Sequence, residues 1–176
     1  MSLPHCDSLS VYLAHPTDEE LQEQCRNNAV SWREPLTVEA YLRRERYLSQ
    51  QDLTKDGGIT FWVLVFDDEK TGKRLVLSGC ETLRKRGLVS RNGGEGRDVV
   101  SHGVGGVFTP LEFRRRGYAA RMLKELGEII GQYQNDGMSC GFSILYSDIG
   151  KVSTYVWADR HYLGTYSIVE TTNDVS

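Results

Sequence analysis

Residues Val104–Ala120 read VGGVFTPLEFRRRGYAA, and their interpretation decides the fold. β-Branched and aromatic residues run to Thr109, Pro110 ends the run, and a basic segment containing Gly117 leads into an apolar repeat beginning at Tyr118. That order predicts a strand, a turn, a loop and a helix. The first amides of a helix have no internal acceptor, the helix dipole adds partial positive charge, and a glycine admits an anion close to the backbone. Arg114, Arg115 and Arg116 add cationic charge around that helix start. The stretch therefore predicts a cradle for a phosphate or diphosphate, against the plainer readings of a solvated basic run or a nucleic-acid patch. Other phosphate loops fit badly. Thr71-Gly72-Lys73-Arg74 lacks the GxxxxGK spacing and the following Ser or Thr, and Gly103-Val104-Gly105-Gly106 lies within a strand rather than between strand and helix.

Working outward, Ala119, Met122, Leu123, Leu126, Ile129, Ile130 and Tyr133 fall at helical spacing, so Tyr118–Tyr133 is predicted as a helix closed by Asp136-Gly137. Ser139–Tyr146 (SCGFSILY) follows as a strand. Upstream, Val99–Thr109 is a strand broken by Gly103, Gly105 and Gly106, which mark a bulge or a close approach to the backbone. Arg86–Asp98, with its glycines, reads as a mobile loop. Ile59–Phe66 and Arg74–Leu83 form an antiparallel hairpin around a polar turn. Thr17 and Thr37 are N-cap signals opening helices over Thr17–Asn28 and Val38–Gln50. The resulting architecture is α/β (α+β), a mixed central sheet with helices on both faces.

The chain has 176 residues, with 21 Lys plus Arg against 24 Asp plus Glu and a formal charge of −3. One domain can bury a core at this length. Near-neutral charge argues against nucleic acid as a partner, and no apolar run reaches the length of a membrane span or a secretory leader. Arg84-Lys85-Arg86 reads as a solvated strand end. Cys6, Cys25, Cys80 and Cys140 show no metal or disulfide spacing, so they are expected to be reduced thiols in a cytoplasmic protein, with no metal.

Arg114-Arg115-Arg116-Gly117-Tyr118-Ala119 meets the acetyl-CoA signature of the GCN5-related N-acetyltransferases: Arg or Gln, two residues, Gly, one residue, then Gly or Ala. Together with Val107-Phe108-Thr109-Pro110, the helix from Tyr118 and the strand over Ser139–Tyr146, the chain resembles that family over about Asp18–Lys151. VGGVFTPLEFRRRGYAARML and ILYSDIGK (Ile144–Lys151) resemble more narrowly the fungal lysine ε-amino acetyltransferases. The resemblance implies an acetyl-CoA-dependent transfer to a primary amine, most plausibly the side-chain amine of free lysine in lysine catabolism. A protein-lysine acetyltransferase and a truncated, non-catalytic acyl-CoA-binding module are the alternatives.

It further implies that Arg114, Arg115, Arg116, Gly117, Tyr118, Ala119 and Ala120 hold the CoA diphosphate, chiefly through backbone amides. Val107, Phe108 and Thr109 would pair with the pantetheine arm like an added strand, and an amide near Val107 or Phe108 would polarise the thioester carbonyl. A lysine side chain with pKa near 10.4 is protonated at pH 7, so a proton acceptor is required. His102, Glu112 and Glu81 are the candidates; His102 has a plainer reading as a satisfied strand-edge residue and Glu112 as a solvated turn residue. Relatives follow this point with a helix carrying a Tyr that protonates the leaving thiolate, and Tyr155 lies one residue from that position. The domain is accordingly placed at 1–151, and 152–176 is read as a divergent tail, either disordered or a translated intron, since an in-phase GTAAGT encodes the Val152-Ser153 that follows Lys151.

Overall fold

The computed structural model describes residues 3–68, 71–90, 94–138 and 140–145. Its elements are β1 (Val11–Ala14), α1 (Asp18–Trp32), α2 (Val38–Leu48), β2 (Ile59–Asp68), β3 (Lys73–Val89), β4 (Arg97–Phe108), a 3-10 turn (Leu111–Phe113), α3 (Tyr118–Ile130) and β5 (Cys140–Leu145). The five strands form one mixed sheet in chain order. The first three pairings are antiparallel and β4–β5 is parallel, joined through α3.

Both threonine caps operate. The Thr17 hydroxyl accepts the Glu20 amide at 3.2 Å while the Glu20 carboxylate accepts the Thr17 amide at 2.8 Å, a reciprocal capping box. Thr37 accepts the Ala40 amide at 3.2 Å. α1 then runs four residues beyond the predicted end at Asn28, and α2 stops at Leu48, two short of Gln50.

α3 drives one face of the sheet. Tyr118, Met122, Leu126 and Ile130 fall four apart and pack on Trp62, Leu64, Leu77, Cys80 and Val104. Ile129, predicted to belong to this stripe, is 40% exposed and lies on the outer side. Tyr133 lies past the helix end, but its ring still meets Trp62 edge-on at 5.0 Å. α1 lies on the opposite face, where the Gln24 amide covers Gly79 and donates to the Cys80 carbonyl at 3.2 Å.

The predicted loop over Arg86–Asp98 is corrected. β3 continues to Val89 and β4 begins at Arg97, so the two strands pair from Arg84↔His102 to Val89↔Arg97, well beyond the end of β2. Gly87 lies beneath Phe142 and Val99, and a Cβ there would stand 3.2 Å from both; Gly96 is covered by Leu88. These glycines are small because a neighbour lies on them, rather than because the chain turns there. β1 had no sequence signal of its own and is recruited as an edge against β2, Val11↔Phe66 to Ala14↔Val63. Among the described residues no helix is long and apolar enough to cross a membrane, and no disulfide links the four cysteines.

Candidate functional site

The end of β4 is irregular because of its glycines. Glu81↔Gly105 and Gly79↔Phe108 place three steps of β4 against two of β3, with Gly106 at φ +59° inside the resulting bulge. The β4–β5 register ends at Val104↔Leu145, whereas β4 continues to Phe108. Gly105–Phe108 therefore present a backbone edge with no β5 partner among the described residues. An extended chain can add to such an edge as a further strand.

The following turn is tied down. Buried Ser78 donates its hydroxyl to the Phe108 carbonyl at 3.0 Å and lies 2.9 Å from the Thr109 hydroxyl. Arg114 folds back, donating Nε to the Thr109 carbonyl at 2.9 Å with its guanidinium 5.2 Å from the centre of the Phe108 ring. Of the three arginines, Arg114 thus braces the loop, while Arg115 and Arg116 extend into solvent.

The Phe113 and Arg114 amides bond to Pro110 and Leu111, and the next backbone bond is Arg121 N–H to the Gly117 carbonyl. Between them, the amides of Arg115 through Ala120 have no hydrogen-bond acceptor among the described residues. Within this run Arg115 at φ +61° and Gly117 at φ +84° take the left-handed backbone, and Gly117 opens α3 as its N-cap. A Cβ on Gly117 would stand 2.9 Å from the Cys6 sulfur, so the position admits no side chain without displacement. A diphosphate fits this donor set, since orphaned amides at a helix start are anion receptors.

Side chains of α3 tie this helix start to the N-terminal segment. Tyr118, 1% exposed, donates its phenol to the Pro4 carbonyl at 2.6 Å, and Arg121 donates to the Cys6 carbonyl at 3.1 Å. Glu125 pairs with Arg121 and accepts the Leu13 amide at 2.7 Å. Arg121 and Glu125, spaced i,i+4, thereby fasten the N-terminal segment along α3. Their spacing was visible in the sequence, but their partners were not.

The proton-acceptor candidates separate by face. His102 shares the α3 side of β4 with Val104; it is 1% exposed, and neither ring nitrogen has a hydrogen-bond partner of good geometry. Burial, aided by Arg84 and opposed by the Tyr133 backbone, pushes its pKa below the ordinary 6.5. Glu112 is exposed in the 3-10 turn. Glu81 lies on the other face, on the same side of β3 as Gly79, with its carboxylate against Gly105 and Gly106. Burial first, and then the charge of Glu45, push its pKa up to about 7. Tyr155, Asp148 and the whole of 152–176 lie outside the described residues.

This is the fold of the GCN5-related N-acetyltransferases. Among solved structures, a GCN5-related N-acetyltransferase from Kribbella flavida matches with TM-score 0.50 and 23% identity over 80% of this chain and 31% of that chain. A probable N-acyltransferase from Enterococcus faecalis V583 matches with TM-score 0.51 and 17% identity over 78% of this chain and 29% of that one. No protein-family profile matches. Among curated proteins, the chain is 28% identical over 108 residues to a protein named lysine acetyltransferase from Yarrowia lipolytica, covering 61% of this chain and 26% of that protein. It is 28% identical over 131 residues to the uncharacterised protein YGR111W of Saccharomyces cerevisiae, covering 62% and 32%. The chain thus spans about a quarter to a third of the length of these curated relatives.

Proposed function

We propose that this chain is an acetyl-CoA-dependent N-acetyltransferase domain that acts on a primary amine, with the side-chain amine of free lysine as its acceptor. The run of amides from Arg115 to Ala120 that has no acceptor among the described residues carries this reading. Those amides would hold the diphosphate, with Arg115 and Arg116 adding charge. The Gly105–Phe108 edge would pair with the pantetheine arm, and an amide near Val107 or Phe108 would stabilise negative charge on the carbonyl oxygen. The likeness to the Yarrowia protein supports lysine as acceptor.

Acetyl-CoA supplies an activated acetyl thioester; the chain supplies alignment and a base. We assign the proton-acceptor role to Glu81: it lies at the β4 bulge, and a pKa raised to about 7 makes its carboxylate a stronger base while leaving part of the population ionised near neutral pH. His102 faces the α3 core and Glu112 faces solvent, so we assign neither of them this step.

The test begins with a thermal-shift titration with acetyl-CoA and continues with free-thiol release with and without lysine. Stabilisation followed by lysine-dependent release is the expected result, and Glu81→Gln should lower kcat/KM by roughly 100-fold or more while leaving the coenzyme-induced shift intact. Stabilisation without release would favour an acyl-CoA-binding module, and no stabilisation would remove both readings.

A further inference from the structure

α1 and α2 open on the capping hydroxyls of Thr17 and Thr37, but α3 opens on Gly117, which has no side chain to cap it. Local chemistry therefore does not hold the left-handed backbone at this helix start, and an uncapped first turn frays. A segment more than a hundred positions away covers it instead. Residues 3–10 are folded by two turns, in which the Ser8 amide donates to the His5 carbonyl and the Val11 amide to the Ser8 carbonyl, each at 3.0 Å. Leu3 and Cys6 pack against the core that α3 builds, and the Cys6 sulfur fills the space over Gly117.

Arg121 joins this segment to the helix start. Its backbone amide donates to the Gly117 carbonyl at 2.9 Å, the first hydrogen bond of α3. Its side chain reaches back over the same turn, where Nη1 donates to the Cys6 carbonyl at 3.1 Å and Nη2 to the Val11 carbonyl at 3.4 Å. Nη1 also lies 3.9 Å from Asp7 Oδ1, and Nε donates to Glu125, whose Oε2 accepts the Leu13 amide at 2.7 Å. The side chain is 21% exposed, all three of its nitrogens are engaged within the protein, and Glu125 meets its charge. Arg121 is thus committed to holding the chain, whereas Arg115 and Arg116 extend into solvent.

We propose that Arg121 is a positioning residue for coenzyme binding: by drawing residues 3–10 onto Gly117, it fixes the first turn of α3 in the form that receives the diphosphate. This rests on the assignment of Arg115–Ala120 as the diphosphate receptor. The gain is preorganisation. A turn that is already held loses little conformational freedom when the anion arrives, so the constraint is expressed as affinity. It acts on the diphosphate end of the coenzyme, because the segment touches the start of α3 and not the Gly105–Phe108 edge or Glu81. Only the guanidinium fork can bond two carbonyls and a carboxylate in three directions at once, and an ammonium at this position would hold fewer of them.

Two measurements on the full chain test this. Calorimetry compares CoA with ADP, which carries the diphosphate without the pantetheine arm, and amide exchange on the free protein compares the start of α3 with the central strands. Arg121→Met keeps an apolar stem and removes the donors; it should weaken both ligands by roughly tenfold, about what the loss of a helix cap is worth. Exchange at residues 121 and 122 should quicken while Leu64 and Leu77 keep their protection, a split that general destabilisation would not produce. Cys6→Gly, which empties the space over Gly117 and leaves α3 untouched, should weaken both ligands in the same sense. Combined with Arg121→Met it should add little, since the two act through one contact. Unchanged ligand affinity in Arg121→Met, weakened CoA with unchanged ADP, protection lost equally in the central strands of both variants, or fully additive losses would each overturn the proposal. A native chain that binds neither ligand would instead overturn the diphosphate receptor, and this proposal with it.

Discussion

At Gly117 a single backbone angle and a single neighbour act together. Its φ of +84° is costly for any residue with a Cβ, and the Cys6 sulfur occupies the space that atom needs. Gly117→Val is expected to weaken CoA binding at least tenfold in calorimetry and to lower stability by about 1–3 kcal/mol in urea unfolding. Retained affinity in the variant would mean that the amides of Arg115–Ala120 are not the diphosphate receptor. Arg114 illustrates how a motif residue can be read correctly as part of a loop and still do different work. Its guanidinium turns back onto Phe108 and Thr109, so it shapes the cradle, leaving Arg115 and Arg116 as the cations available to an anion.

Among the elements, the long β3–β4 hairpin departs furthest from expectation. Glycine punctuates loops, and Arg86–Asp98 looked like one on that ground. Here Gly87 and Gly96 lie beneath Phe142, Val99 and Leu88, contacts made between residues far apart in the chain as well as near ones. Gly87→Val is expected to cost about 1–3 kcal/mol, because the added methyl groups would meet the Phe142 ring. The denaturation midpoint and amide-exchange protection at Leu88 and Val99 should fall together; protection unchanged in the variant would argue that the hairpin extension does not depend on this contact. By contrast, α1, α2 and α3 were legible, since Thr17 and Thr37 carry their own cap chemistry and Tyr118, Met122, Leu126 and Ile130 carry their own period.

For the whole molecule, Glu81 and buried His102, on opposite faces of the sheet, act on stability in opposite senses as pH changes. Glu81 binds its proton more tightly folded than unfolded, so the stability it contributes is complete below its ordinary value of 4.5 and is lost as pH rises toward about 7. His102 has a lowered pKa, so its contribution is complete above the ordinary 6.5 and is lost as pH falls below it. Urea unfolding across pH 4–8 should show Glu81→Gln removing the loss of stability between about pH 4.5 and 7, and His102→Gln removing the loss that sets in as pH falls below 6.5. A variant whose pH profile parallels that of the native chain would show that its group does not titrate differently on folding.

Local chemistry was enough to set the helices, the central hairpin and the acceptor-free helix start after Pro110, because caps, periodicity and the first turn of a helix depend on residues within a few positions of one another. The division of the proton-acceptor candidates between two faces, the recruitment of β1 and the conversion of a glycine-rich stretch into paired strands depended on the tertiary structure. Each of these is a relation between segments distant in the chain, fixed by which side of a pleated strand a residue occupies once bulges and neighbours have set the register.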